Sequence, residues 1–246
     1  MTSQTLTDHF LSLAVQEIGF KTPALAQGYI DRFLDGVDLA DKNILDIGCG
    51  TGLMSIYSAC RGAAQVIGLE PEEAGSSSSS AAVFNKMAAA LKLANIVCYP
   101  QTLQEFAPNG LSFDLILSHS SINHLDEKAC VGLRTSRAAR EKYLSIFTKL
   151  SGITKNGGKI VILDCSPYNF FDTLGMKNPL SSTIEWHKHQ TPDLWIELLK
   201  QCGYTNPRVD WLVPAKLKSF EKILANRYGA FFTRSAFKLV MEKKSG

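Results

Sequence analysis

Asn43-Ile44-Leu45-Asp46-Ile47-Gly48-Cys49-Gly50-Thr51-Gly52 decides how the rest of the chain is read. A short apolar run closes on an acid, and three glycines follow at alternate positions. That order predicts a buried β-strand, a tight turn, and a helix continuing through Leu53–Ala59. Glycine serves where a backbone must turn with positive φ or lie directly against a ligand, because a Cβ would collide. A dinucleotide-binding turn needs G-x-G-x-x-G/A. Here the third glycine comes one residue early, and Leu53 stands where that pattern wants Gly or Ala. The turn also lacks the lysine of a phosphate-binding P-loop.

The pattern repeats outward from this stretch. Gln65–Leu69 is a second short apolar strand ending at Glu70, and a run of serines at 76–80 leads as loop and N-cap material into a helix over Ala81–Leu93. Asn95–Pro100 and Phe113–Ser118 read as the third and fourth strands, Glu141–Leu150 as a helix, Gly157-Gly158 as a turn and Lys159–Leu163 as the fifth strand. Pro192–Cys202 is a helix closed by Gly203, and Arg208–Val213 and Ala236–Met241 are the last strands. Before the first strand, apolar residues at helical spacing over 5–40 predict two helices, with Pro23 in the first turn of the second. Strands alternating with helices predict an α/β fold with a largely parallel, doubly wound sheet. The chain reads as one domain over 1–246, with a helical cap (1–40), a cofactor-binding half (41–164), a substrate lid (165–192) and a C-terminal half (193–246).

An acid followed by G-x-G-x-G resembles the first motif of the class I S-adenosylmethionine-dependent methyltransferases. The resemblance implies a Rossmann-like methyltransferase fold over roughly residues 40 to 242, with helices on both faces of seven strands, the last antiparallel. It implies S-adenosyl-L-methionine as cofactor and S-adenosyl-L-homocysteine as product. Asp46 would order the loop and the amino-acid end of the cofactor, and Gly48, Cys49, Gly50 and Gly52 would bring backbone against it. Glu70, 22 residues past Gly48, is placed to accept both ribose hydroxyls in charge-assisted hydrogen bonds. Glu72 and Glu73 follow Pro71 and read as exposed. After the third strand the family usually has an Asp for the adenine amino group; this chain has Gln101-Thr102-Leu103, so either polar side chain would accept that bond while the Leu103 amide donates to the ring.

Chemistry at the acceptor is expected after the fourth strand, in Ser118-His119-Ser120-Ser121-Ile122-Asn123-His124. Many small-molecule methyltransferases carry a His near the position of His124. An oxygen or ammonium nucleophile must lose a proton, and a His titrating near neutrality suits that task; His124 and His119 are the candidates, with pocket-shaping as the alternative role. The connection from Asp164 to Pro192 is longer than a loop requires. It carries Tyr168, Phe170 and Phe171, then Glu185-Trp186-His187-Lys188-His189, which predicts a lid. Glu185, His187 and His189 are its candidates for substrate contact or proton transfer, and its aromatic rings suggest an acceptor with planar or apolar surface. His187-x-His189 has no third ligand nearby, so no metal is expected. Arg134, Arg137 and Arg140 read as a solvated helix face, with an anion clamp as the alternative, and the helical stretch Lys216–Arg227 as a further wall of the pocket.

Composition narrows the class of function. Hydrophobic residues at 45% and charged at 20% are ordinary globular values. A net charge of +3 is too small to argue for nucleic acid or a membrane surface. Six cysteines without C-x-x-C pairing read as reduced thiols in a cytoplasmic protein. The expected function is methyl transfer to an O or N atom of a small-molecule acceptor. The alternatives are a macromolecular acceptor, disfavoured because no appended recognition domain stands out, or a non-catalytic protein that binds S-adenosylmethionine. The sequence is silent on oligomeric state.

Overall fold

The computed structural model describes residues 3–71 and 80–245, in two compact units: residues 1–119 with 153–158, and residues 120–152 with 159–246. Glu72, Glu73 and serines 76–79 lie outside the described residues.

The first unit holds α1 (Ser3–Glu17), α2 (Pro23–Leu34), β1 (Asn43–Ile47), α3 (Leu53–Cys60), β2 (Gln65–Leu69), α4 (Ser80–Ala90), β3 (Ile96–Tyr99) and β4 (Phe113–His119). The Thr22 side chain caps α2 by accepting from the Leu25 amide, and Pro23 enters at the first turn, where its missing N–H costs nothing. β1 lies parallel to both β2 and β4, and β2 parallel to β3. Ile44, Leu45, Val66, Ile67, Ile116 and Leu117 are all buried, as expected of parallel strands covered on both faces.

The second unit holds α5 (Glu127–Gly132), α6 (Arg137–Ile153), most of β5 (Thr154–Cys165), α7 (Phe170–Thr173), α8 (Pro192–Gln201), β6 (Tyr204–Trp211), α9 (Glu221–Leu224), α10 (Arg227–Phe231) and β7 (Ala236–Lys243). β7 is antiparallel to β5 and to β6. Its centre is aromatic: Trp195 of α8 is fully buried with its ring 5.4 Å from Tyr143 and 6.0 Å from Phe147 of α6. The full strand order is β3-β2-β1-β4-β5-β7-β6, the mostly parallel, doubly wound arrangement with an antiparallel last strand.

Several boundaries differ from the sequence reading, the helix expected over Glu141–Leu150 running from Arg137 to Ile153. Gly157-Gly158 is not a turn between helix and strand but lies inside β5, which starts at Thr154. β6 begins at Tyr204, four residues before the expected Arg208, and its polar start lies on the edge strand of the sheet, where the burial pattern is weak. The stretch 215–231 is a 3-10 turn followed by two short helices instead of one helix. All six cysteines are free thiols, and among the described residues no helix is long and apolar enough to cross a membrane.

Candidate functional site

At the carboxyl end of β1 the chain enters the glycine turn. Gly48, Gly50 and Gly52 have φ of 67°, 54° and 85°, the left-handed region that side chains avoid. The two later glycines do different jobs. A Cβ on Gly52 would lie 2.3 Å from the buried ring of Phe84, whereas a Cβ on Gly50 would meet no heavy atom within 4 Å. Gly52 is therefore required by packing, and Gly50 faces open space. The Cys49 side chain turns away from that space into the fold, its sulfur 3.8 Å from that of Cys98. The contact with Cys98, with burial, raises the Cys49 thiol well above its ordinary range.

Two carboxylates flank the turn. Glu70 follows β2, and its Oε2 accepts the Gly50 amide at 2.7 Å, fastening the turn to the end of the second strand. Asp46 is 1% exposed; its Oδ2 accepts from the Ser55 hydroxyl at 2.6 Å, while its Oδ1 is buried without a hydrogen-bond partner. Burial pushes the Asp46 carboxyl up to about 7, with Ser55 opposing the rise and the charge of Glu70 adding to it. An orphaned buried oxygen is costly; an ammonium group or a water would satisfy it. A ligand with a cationic amino-acid end and a vicinal diol fits this donor and acceptor set.

The residues expected at the adenine end are placed less favourably. Thr102 is tied to Glu105, which accepts its amide at 3.0 Å and its hydroxyl at 2.9 Å. The Leu103 side chain is core, 1% exposed. Gln101 is exposed and lines a cavity of about 240 Å³ with Tyr99, Phe106 and Leu111, which leaves it as the member of the trio with a side chain over open volume. Ser118 is buried on β4, in register with Ile47. His119 ends β4 with its ring 5.2 Å from Phe33 and 5.4 Å from Tyr29 of α2. Burial pushes its pKa down to about 4, so at neutral pH it is an uncharged member of an aromatic cluster and a weak base.

The second unit gathers the remaining candidates. His124 lies in a 3-10 turn, its Nδ1 2.6 Å from Oε1 of Glu127 on α5. Lys188 joins Glu127 at 3.1 Å and Glu185 at 2.8 Å. The His124 ring and Lys188 hold the Glu127 carboxyl below its ordinary value. Glu185 is thus an exposed partner of Lys188, and His187 beside it is exposed. Asn123, next to His124, is 1% exposed with Oδ1 lacking a partner.

A second imidazole–carboxylate pair ties the 165–192 connection to β5: His189 Nδ1 lies 2.7 Å from Oδ1 of Asp164, the penultimate residue of that strand. Glu127 and Asp164 were not singled out in the sequence. For Glu127 a local signal exists, since it stands three residues after His124; Asp164 closes an apolar strand run as Asp46 does, but nothing local links it to His189, 25 residues away. The three arginines each have an internal partner: Arg134 with Gln190 and Tyr168, Arg137 with Glu141, and Arg140 with Glu197. Trp186 is buried and Phe170 packs on Phe231 and Phe232. Tyr168 instead lines a cavity of about 340 Å³ with Trp211, Arg227, Tyr228 and Phe231. Among the described residues no three of His, Cys, Asp and Glu come together to hold a metal ion.

Comparison with known proteins extends this geometry. The chain is 39% identical over 75 residues to the ribosomal protein L11 methyltransferase of Haemophilus ducreyi, covering 30% of this chain and 25% of that protein. It is 38% identical over 64 residues to protein arginine N-methyltransferase 1 of Chlamydomonas reinhardtii, covering 26% and 19%. The chain thus matches a quarter or less of these relatives' length. An S-adenosylmethionine-dependent methyltransferase from Mesorhizobium loti superposes with a TM-score of 0.57 at 16% identity, over 92% of this chain and all of that one. A Haemonchus contortus ethanolamine-phosphate N-methyltransferase, solved with phosphomonomethylethanolamine and S-adenosylhomocysteine, gives 0.60 at 16% identity over 96% of this chain and 57% of its own. These likenesses establish the shared fold. A family model described as a methyltransferase domain matches residues 14–209, and the chain belongs to that family, the class I S-adenosylmethionine-dependent methyltransferases.

Proposed function

We propose that the chain transfers a methyl group from S-adenosylmethionine to an O or N atom of a small-molecule acceptor. The observation that carries the cofactor half is the buried, partnerless Oδ1 of Asp46 beside a turn whose Gly50 faces open space. When bound, S-adenosylmethionine supplies a methyl carbon already activated by its sulfonium. The chain's own residues then have binding, orientation and proton handling to do, and positioning alone supplies roughly 7–11 kcal/mol of a barrier in favourable cases. Asp46 meets the ammonium directly or through water, Glu70 the ribose hydroxyls, and Gln101 the adenine amino group. Thr102 and the Leu103 amide are secondary contacts at that end, and the Ser118–His119 strand end closes the cofactor side. On the acceptor side we place His124, with Glu185 and His187 as a polar rim. Apart from these residues, the cavity of about 340 Å³ bounded by Tyr168, Trp211, Tyr228 and Phe231 is of the size small ligands occupy, and its aromatic walls suit an acceptor with planar or apolar surface.

The likeness to two protein methyltransferases keeps a macromolecular acceptor as the second reading. A screen for S-adenosylhomocysteine release separates them: small phenols, alcohols and amines are expected to support release, and activity confined to protein substrates would reject the small-molecule reading. For the cofactor half, Glu70→Ala is expected to weaken S-adenosylmethionine binding about tenfold to a hundredfold in calorimetry, since it removes charge-assisted bonds and the acceptor of the Gly50 amide. Glu70→Gln, which keeps an acceptor without the charge, should fall between. Unchanged affinity in both variants rejects the ribose role.

A further inference from the structure

The two imidazole–carboxylate pairs of the second unit differ in what else holds the acid. Glu127 shares its charge with Lys188, and its side chain is 47% exposed. Asp164 is 1% exposed, and apart from His189 its oxygens take neutral donors: the Cys165 amide at 2.8 Å on Oδ1 and the Trp195 indole at 3.3 Å on Oδ2. Among the described residues no Lys or Arg forms an ion pair with it. The Asp164 carboxylate is therefore placed to compensate a positive charge that forms on the His189 ring when it takes up a proton. With Asp164 as a carboxylate, the contact of Nδ1 with Oδ1 selects the tautomer in which Nδ1 carries the hydrogen and Nε2 the lone pair.

The ring is held from both sides in sequence. Gln190 donates to the Cys130 carbonyl at 2.7 Å and accepts from Arg134 at 3.0 Å, while Lys188 pairs with Glu127. Asp164 stands at the carboxyl end of a strand, beyond which ligands of open α/β sheets lie. The Ser120 amide donates to the Leu163 carbonyl at 2.8 Å, so the segment leading to Asn123 and His124 runs beside the same strand end.

We propose that His189, oriented by Asp164, takes the proton that the acceptor loses as it is methylated. The proposal rests on the methyltransferase reading and narrows the acceptor to an un-ionised protic group: a phenol, an alcohol or an N–H nitrogen. A carboxylate or thiolate arrives able to attack and leaves such a base without a role. In the step the acceptor's O–H or N–H bond breaks, its electron pair stays on the nucleophile, and the proton joins Nε2. Asp164 balances the new charge until the proton passes to water.

The test uses the full chain labelled with 15N-histidine. His189 should show a hydrogen-bonded Nδ1–H resonance well downfield of the other imidazoles and an unprotonated Nε2, with the Nδ1–H signal lost in Asp164→Asn. With phenol, alcohol and amine probes, His189→Ala should lower kcat about a hundredfold, the scale of general-base catalysis, while S-adenosylmethionine affinity in calorimetry is unchanged. Added imidazole should restore part of that turnover, and Asp164→Asn should lower kcat with KM unchanged. A protonated Nε2 in the resting chain overturns the proposal, as does His189→Ala keeping kcat within threefold. Cofactor binding without release on any of these protic probes also counts against it. Failure of the unsubstituted chain to bind S-adenosylmethionine at all would instead remove the methyltransferase reading beneath it.

Discussion

Gly50→Ala is expected to bind S-adenosylmethionine at least a hundredfold more weakly while its fold survives, and Gly52→Ala to do the reverse. Both glycines have positive φ, at 54° and 85°, and forcing an alanine into that region costs about 1–2 kcal/mol at either site. What separates them is what a methyl group would meet. At Gly50 it enters the open space that the backbone faces. The chain tolerates it there, and a ligand lying against that backbone does not. At Gly52 it lands 2.3 Å from Phe84 and 3.0 Å from Ile56, both buried side chains with no room to retreat, adding roughly 1–3 kcal/mol of overpacking. The Gly52 variant should therefore melt on the order of 10 °C lower, given about 2–4 °C per kcal/mol for a chain of this size, and the Gly50 variant only a few degrees lower. Calorimetry with S-adenosylmethionine beside thermal melts reads both. If Gly50→Ala binds the cofactor normally, the space beside that residue is not where the cofactor lies.

The parts of the fold legible in the sequence were those with local causes. Asn43–Ile47 and Gln65–Leu69 are strands within one residue of the expected bounds, because a short apolar run stopped by an acid has few other solutions in a parallel sheet. The Thr22-Pro23 start of α2 was equally readable. β6 was not: it is an edge strand opening on Thr205, Asn206, Pro207 and Arg208, and an edge can be paired through its backbone without an apolar pattern. Gly157-Gly158 looked like a turn for the same reason, since dipeptide punctuation is local and the strand around it is imposed by the sheet. Near the site, the glycine turn is local, and Glu70, an acid closing the next apolar run, is held against it by the Gly50 amide. The partner of His189 could not be read locally, because residues 25 apart meet only through the course of the long connection after β5. His119 was read as a candidate base from its chain position, but Tyr29 and Phe33 arrive from a helix some 90 residues earlier and decide its chemistry.

That aromatic setting pairs with the buried acid to give a test of both. Asp46 has a folded value of about 7, above its ordinary 3.8. Between about pH 4 and 7 the folded chain keeps a proton there that the unfolded chain releases, and the stability this confers is lost as pH rises through 7. His119 has a folded value of about 4, below its ordinary 6.5. In almost the same window the unfolded chain takes up the proton that the folded chain refuses, so stability is lost as pH falls through 4. The two slopes oppose, and their joint contribution to the melting temperature is expected to be nearly flat between about pH 4.5 and 6.5. Asp46→Asn removes one slope and leaves His119, so its melting temperature should climb with pH. His119→Phe, which keeps a ring between Tyr29 and Phe33, leaves Asp46, so its melting temperature should fall as pH rises. Each slope is worth about 1.4 kcal/mol per pH unit at full strength, or roughly 3–5 °C per unit in a chain of this size. Slopes of the same sign in the two variants would contradict the burial of one of these groups. Saturating S-adenosylmethionine should flatten the His119→Phe slope, because an ammonium beside Oδ1 of Asp46 lets the acid ionise without leaving a bare charge inside the fold.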